Sequence, residues 1–191
     1  MLLRRGNLFL VGMPGCGKST LGRVLARSLG KTFVDADHEL EERLGVSIST
    51  IFEIEGEDTF RSREEETLAR LSQRVDIVLA TGGGVVLRAA NRSRLKAGGT
   101  VLYLHATPET TWERTRHSKN RPLLQTADPL ARARQLYEQR DALYRETADL
   151  IINADQQKSA QILAFLREQL GTAQQPVLPT TEANPSQDAA A

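Results

Sequence analysis

Short apolar runs alternate along the chain with longer segments in which apolar residues recur every three or four positions. The runs have the length and composition of buried strands and cover residues 7–11, 31–35, 76–80, 100–105 and 149–152. The longer segments have helical spacing, at about residues 18–29, 38–44, 58–72, 88–96, 108–114, 129–147 and 157–170. Because strands and helices alternate, we predict a three-layer α/β/α fold with a five-stranded parallel sheet.

Individual residues mark where the predicted helices begin and end. Gly30 follows the first helical segment and is a typical C-terminal cap. Thr107 stands directly before Pro108, a pair typical of a helix N-terminus. Thr50 and Glu53 have the spacing of a capping box, which predicts a helix start at that point.

The first strand leads into residues 12–20, which match the pattern G-x-x-x-x-G-K-[ST]. Glycines in such a loop let backbone N–H groups surround phosphates at the N-terminus of the following helix. Lys18 would reach the β- and γ-phosphates, and the Ser19 hydroxyl would bind Mg²⁺. A purely structural glycine-rich turn is the alternative, but the strand before the loop and the helix after it favour a site for a nucleotide's phosphates and Mg²⁺.

Two acidic residues, Asp35 and Asp37, close the second strand. Residues at the carboxyl end of a parallel strand face the ligand crevice of this fold class. The strand at 76–80 lacks a terminal aspartate, so Asp35 is the candidate for the second metal-site residue. Asp37 is a candidate contact for a molecule bound in this crevice. The alternative is that Asp37 only caps the next helix.

Arginine and glycine residues in the middle of the chain are further candidates. Arg61 and Glu64 lie three apart at the edge of a predicted helix, where an exposed ion pair is the alternative to a binding role. Three consecutive glycines at 82–84 follow the third strand and indicate either a close approach of the backbone or a plain tight turn.

Two basic features occupy the second half of the chain. Residues 114–122 are polar, basic and broken by a proline, so they are either a phosphate-clamping lid or a solvated run of charge. Arg140 lies among apolar and aromatic neighbours on a predicted inward helix face, where an unpaired guanidinium is costly. Its anion would be Glu64, Glu138 or a group on the substrate.

Composition and charge narrow the class of protein. The chain has 191 residues with 25 basic and 24 acidic side chains, a net charge of +1 that calls for neither nucleic acid nor membrane as a partner. Its single cysteine, Cys16, excludes an internal disulfide and suits a reducing cytosol. We interpret Cys16 as a small residue that fits the loop rather than an activated thiol. No run is apolar enough to span a bilayer, so we expect a soluble cytoplasmic protein.

Six motifs together resemble the shikimate kinases, which are related in fold to the nucleoside monophosphate kinases. They are the phosphate loop at 12–20, DAD at 35–37, GExxFRxxE at 56–64, ATGGG at 80–84, NRPLL at 120–124 and RxxLY at 140–144. The resemblance covers about residues 6–170. It implies ATP-dependent phosphorylation of the 3-hydroxyl of shikimate, a step toward chorismate and the aromatic amino acids.

The resemblance also implies a role for each matched position. The residues that contact ATP would be Gly15, Cys16, Gly17, Lys18, Ser19, Thr20, Arg121 and Gln157, with Arg114 near the adenine. Shikimate would bind Asp37, Arg61, Gly83 and Arg140, with Gly82 and Gly84 in the same segment. Lys18, Asp37 and Arg121 would be catalytic, and Ser19 and Asp35 would hold Mg²⁺.

The implied organisation is one kinase domain, which we expect to be monomeric, at residues 1–171. A substrate-binding lobe would cover about 36–72 and a lid about 116–126. Residues 172–191 contain no aromatic or basic residue, which predicts a disordered tail.

Two other functions remain open from the residues. A kinase for another polyol acid, such as gluconate, would keep the phosphate loop but would not need Arg61, residues 82–84 and Arg140 together. A nucleotide-dependent switch would need no acceptor, so phosphorylation of a small molecule separates it from a kinase.

Overall fold

A parallel sheet forms the centre of the computed structural model, which describes residues 6–116, 126–155 and 159–169. Its five strands stand in the order β2-β3-β1-β4-β5. They are β1 (Asn7–Val11), β2 (Thr32–Asp35), β3 (Ile77–Ala80), β4 (Gly99–His105) and β5 (Leu150–Asn153). Every neighbouring pair is parallel, so the predicted sheet is confirmed.

Seven helices connect or flank the strands in the described ranges. They are α1 (Lys18–Leu29), α2 (Ala36–Leu44), α3 (Ile48–Leu71), α4 (Ala89–Gly98), α5 (Pro108–Thr115), α6 (Pro129–Thr147) and α7 (Ser159–Gln169). None of these helices is long and apolar enough to cross a membrane. Residues 117–125 of the lid predicted at about 116–126, and the whole predicted tail at 172–191, lie outside the described residues.

Both faces of the sheet are covered, which explains why the central strands are apolar throughout. Phe9 and Val11 of β1 pack in one core cluster with side chains from α3, α4 and α6. Leu8 and Leu10 point the other way and pack with side chains from α1 and α7. The alternation along β1 therefore produces the three predicted layers.

A smaller apolar cluster lies in the segment predicted as the substrate-binding lobe. Leu40 of α2 is buried with Ile51 and Phe60 of α3, and Phe52 packs against them. This cluster fixes α2 against α3 at the edge of the sheet.

Two helix starts differ from the prediction. Asp35, not Asp37, caps α2: it has an extended backbone, and its side chain accepts hydrogen bonds from the N–H groups of Asp37 and His38. The predicted capping box at Thr50 is wrong, because the Ser47 hydroxyl caps α3 by accepting from the Thr50 N–H.

Helix α3 also begins earlier than the predicted residue 58. The predicted start lies close to Gly56, whose backbone is not helical (φ 80°, ψ 174°) and breaks α3 into two parts. Glycine tolerates this conformation, so the chain continues into a second helical segment in a new direction. The helix ends predicted at Gly30 and at Thr107 are confirmed.

Candidate active site

The phosphate loop occupies the turn between β1 and α1, at the carboxyl end of the sheet. Gly12 has a φ of 144°, and a Cβ there would lie 2.5 Å from the carbonyl oxygen of Leu104 on β4. The positive φ and the short distance to Leu104 each require glycine at this position. The loop is thereby held tightly against the sheet, with the N-terminus of α1 behind it.

Lys18 is folded into the loop by the loop's own backbone. Its Nζ donates to the carbonyl oxygens of Gly12 at 2.7 Å and of Met13 at 3.0 Å. The side chain is almost completely buried, so the ammonium has a fixed place beside the loop. A fixed cation in that position suits the neutralisation of phosphate charge.

Ser19 and Asp35 meet across the gap between α1 and β2. The Ser19 hydroxyl donates to Asp35 Oδ2 at 2.6 Å, while Asp35 Oδ1 caps α2. Within the described residues there is no group of three or more His, Cys, Asp or Glu side chains that could hold a metal by itself. Two hard oxygen donors beside a phosphate loop fit Mg²⁺, which usually takes few protein ligands and completes its shell with phosphates and water.

A cleft of about 140 Å³ opens from the phosphate loop toward α2, α3 and α6. It brings together most of the residues singled out in the sequence: Gly15, Lys18, Ser19, Asp35, Asp37, Arg61, Gly82, Gly83, Gly84 and Arg140. Cys16, Gly17 and Thr20 belong to the loop or α1 but do not line the cleft. Arg121 and Gln157 lie outside the described residues.

Arg61 is buried between two carboxylates on its own helix. Its NH1 donates to Glu64 Oε2 at 2.8 Å, and its Nε and NH2 donate to Glu57 Oε1 at 3.2 and 2.8 Å. The Arg61–Glu64 pair is only 7% exposed on each side, so the alternative of an exposed ion pair is wrong. Burial lowers the pKa of Arg61, but Glu64 and Glu57 outweigh it and hold the pKa above its ordinary value.

Glu64, which the sequence offered as a partner of Arg61 or Arg140, is buried beside Arg61 in the cleft. Burial raises the pKa of Glu64, although Arg61 and Arg140 act in the opposite direction. Its Oε1 has no hydrogen-bond partner within the described part of the chain. That oxygen therefore presents an unused acceptor inside the site.

The glycines at 82–84 are required by close approach. A Cβ on Gly82 would lie 2.5 Å from Glu64 Oε1 and 2.8 Å from Asp37 Oδ1. A Cβ on Gly84 would overlap the Arg61 guanidinium. The segment does turn, since the Val85 N–H donates to the Gly82 carbonyl oxygen at 3.3 Å, but none of the three glycines has a positive φ, so close approach and not backbone conformation is what requires glycine here. The absence of side chains leaves room for the two arginine-bearing helices to meet the backbone.

Arg140 projects from α6 and is 2% exposed. Its NH1 donates to the carbonyl oxygen of Gly83 at 3.1 Å, and the Tyr144 hydroxyl donates to the same oxygen. Neither Glu64 nor Glu138 forms an ion pair with it, and its Nε has no hydrogen-bond partner among the described residues. Burial lowers the pKa of Arg140, which nevertheless stays charged at neutral pH.

Arg114 lies on the opposite side of the phosphate loop. Its guanidinium donates to the carbonyl oxygens of Ala154 at 2.8 Å and Cys16 at 3.4 Å. Arg114 thus connects the loop to the end of β5. Cys16 itself is buried in an apolar cluster, as expected for a residue that fills space.

Sequence reasoning missed the apolar wall of the cleft. Ile48, Phe52 and Phe60 line it, and the rings of Phe52 and Phe60 are 4.6 Å apart. The first two precede residue 58, where the helix was predicted to begin. A helix capped by Ser47 would have placed Ile48 and Phe52 four positions apart on one helical face.

The chain is similar in sequence to known shikimate kinases. The family model described as shikimate kinase matches residues 14–170. A shikimate kinase of Nitrosospira multiformis is 55% identical over 165 residues, covering 86% of this chain and 85% of that protein. One from Chromobacterium violaceum is 54% identical, again over 165 residues, with 86% and 90% covered.

Solved structures agree with the sequence relatives. A shikimate kinase from Acinetobacter baumannii in complex with shikimate has a TM-score of 0.83 and 45% identity, covering 85% of this chain and 90% of that one. A gluconokinase from Sinorhizobium meliloti, at 19% identity and a TM-score of 0.52, shares only the fold. The matching motifs, the sheet and the family model lead to one conclusion: the chain belongs to the shikimate kinase family.

Proposed function

We propose that the protein transfers the γ-phosphoryl group of ATP to the 3-hydroxyl of shikimate in this cleft, giving shikimate 3-phosphate and ADP. The reaction is a step toward chorismate and the aromatic amino acids. The observation that carries the proposal is the position of Arg140. Its guanidinium is buried, pairs with no carboxylate among the described residues, and faces the same cleft as the phosphate loop. The relative from Acinetobacter baumannii, described in complex with shikimate, supports this choice of acceptor.

The carboxylate of shikimate would bind between Arg61 and Arg140. Both guanidiniums line the cleft, and planar guanidinium groups bind carboxylates through paired hydrogen bonds. The backbone at 82–84 lies between them and would limit where the acid can sit. Gluconate also carries a carboxylate, so the shape of the cleft, with Phe52 and Phe60 along one wall, would select the cyclic acid.

Phosphoryl transfer requires alignment of the acceptor hydroxyl and neutralisation of charge on the transferred oxygens. Asp37 lines the cleft, as do Ser19 and Gly82, and would orient the 3-hydroxyl, whether or not it accepts the proton. Lys18 and Arg121 would balance charge on the phosphates. Ser19, with Asp35 behind it, would hold Mg²⁺, which would supply positive charge to the phosphates when the nucleotide is bound.

The finer organisation follows the same proposal. The kinase domain would cover residues 1–171, the lobe would be formed by 36–72, and the lid would be 116–126. We propose a cytoplasmic monomer without a nucleic-acid partner, in keeping with a net charge of +1.

Replacing Asp37 tests the acceptor side of the mechanism. Asp37→Asn should lower kcat by about a hundredfold, because the amide orients the hydroxyl less well and cannot take its proton. Glu42→Gln, an exposed change on the same helix, is the matched control and should leave steady-state kinetics unchanged. A fully active Asp37→Asn enzyme would exclude Asp37 from catalysis.

Replacing Arg121 tests the lid. Arg121→Ala should lower kcat more than it weakens shikimate binding, because this arginine would act on the phosphates after closure. Hydrogen exchange should show residues 116–126 more protected when nucleotide and shikimate are both bound. Equal protection with and without the two ligands would contradict a role for lid closure.

The acceptor is identified by an ADP-release assay with shikimate, gluconate, nucleoside monophosphates or no acceptor. Shikimate should support turnover and the others should not. ADP release without any acceptor, at the same rate, would instead favour a nucleotide-dependent switch. Turnover with gluconate would favour the other polyol-acid kinase.

A further inference from the structure

One of the paired edges through which Arg61 could bind a carboxylate already holds a carboxylate of the protein. Glu57 Oε1 accepts from both Nε and NH2 of Arg61, at 3.2 and 2.8 Å. These two donors form one of the paired edges of the guanidinium. NH1 of the same group is engaged by Glu64 at 2.8 Å. A substrate that uses the Nε/NH2 edge must therefore displace Glu57 or share Arg61 with it.

Glu57 is much freer to leave than Glu64. The Glu57 side chain is 46% exposed, whereas the Glu64 side chain is 7% exposed. Ion pairs with an exposed partner contribute little net stability, because water competes for the exposed carboxylate. Glu57 can exchange Arg61 for water at little cost, but Glu64 cannot, because ionised groups are expensive to leave unpaired when buried.

The charge around the two arginines favours this exchange. Arg61 and Arg140 stand near three carboxylates, those of Asp37, Glu57 and Glu64. Another carboxylate entering with the substrate adds to an excess of negative charge at close range. Moving the Glu57 carboxylate into solvent reduces its repulsion of the substrate carboxylate, because water screens the charge of Glu57 there.

The backbone at Gly56 allows the movement. Its φ of 80° and ψ of 174° break the helical path directly before Glu57. Glu55, on the other side of this break, pairs with Arg63 at the surface. Glu57 therefore begins a helical segment and is less constrained than a residue within one.

We propose that Glu57 is a specificity-determining residue that occupies the substrate's carboxylate site on Arg61 and is displaced when shikimate binds. Glu57 thereby lowers the affinity of every acid that uses this edge of Arg61, and only an acid that also engages Arg140 gains enough to bind well. The inference rests on the proposed function, in which shikimate is the acceptor.

Calorimetry with shikimate and no nucleotide tests the inference. Glu57→Gln and Glu57→Ala should each bind shikimate about two- to fivefold more tightly than wild type, the range expected for loss of a partly exposed competing ion pair. The gain should vanish for a cyclic analogue that lacks the carboxylate. Glu55→Gln, which breaks the neighbouring surface pair, is the control and should leave the Kd unchanged.

The outcomes separate the inference from the proposed function. Unchanged or weaker binding by both Glu57 variants would overturn the inference, because Glu57 would then support Arg61 rather than compete for it. Tighter binding that persists with the analogue would overturn it as well. If wild type neither binds shikimate nor releases ADP with it, the proposed function itself fails.

Discussion

Lys18→Ala is expected to reduce kcat by about a hundred- to a thousandfold while the protein stays folded. The ammonium of Lys18 is the cation held inside the phosphate loop, by the carbonyl oxygens of Gly12 and Met13. Alanine removes charge neutralisation at the β- and γ-phosphates, which matters most in the transition state. The sheet and its two apolar layers do not depend on this side chain.

Steady-state kinetics and circular dichroism on the same preparation measure the two parts of this prediction. Lys31→Ala is the matched control, because Lys31 forms an ion pair with Asp76 away from the cleft. It should retain wild-type kcat. A folded Lys18→Ala enzyme with wild-type turnover would contradict the assignment of the phosphate loop.

Arg140→Lys is expected to raise the KM for shikimate at least about tenfold, equal to about 1.4 kcal/mol, while the KM for ATP changes little. Lysine keeps the positive charge but cannot form paired, planar hydrogen bonds. The contact from Arg140 to the Gly83 carbonyl uses only NH1, which leaves the guanidinium available to an acid. Arg145→Lys on the same helix is the control, since Arg145 pairs with Asp141 at the surface.

An analogue of shikimate without its carboxylate completes a double-mutant cycle. Removing the carboxylate should weaken binding to wild type far more than to Arg140→Lys, because both changes delete the same interaction. Equal losses for the two enzymes would show that Arg140 does not bind the carboxylate.

Local sequence was sufficient for much of the fold. The phosphate loop is a contiguous motif, and β1 is a continuous apolar run because it is buried on both faces. Helix ends marked by Gly30 and Thr107 depend on residues next to them in sequence. Features of this kind are predictable because the interactions that cause them span only a few positions.

Features that depend on tertiary contacts were harder to predict. Asp35 caps α2 and also accepts from Ser19, and only the meeting of β2 with α1 brings these groups together. Each glycine at 82–84 lies close to a different side chain. Glu64 approaches Gly82, Pro14 approaches Gly83 and Arg61 approaches Gly84. Sequence spacing indicated a close approach but could not identify the groups involved.

Arg140 shows how far a physical argument from sequence can reach. Its apolar neighbours predicted a buried cation that needs an anion, with Glu64, Glu138 or a substrate as candidates. In the structure, neither glutamate forms an ion pair with Arg140. The i,i+4 pair of Glu57 with Arg61, the second arginine of the site, was missed because the helix was predicted to begin at residue 58, after Glu57.

A crystal structure with ADP, Mg²⁺ and shikimate tests the central claim most directly. The account predicts the shikimate carboxylate within hydrogen-bond distance of both Arg61 and Arg140, and the 3-hydroxyl beside Asp37, facing the phosphate loop. Shikimate bound with its carboxylate away from both arginines, or with another hydroxyl toward the phosphates, would contradict it.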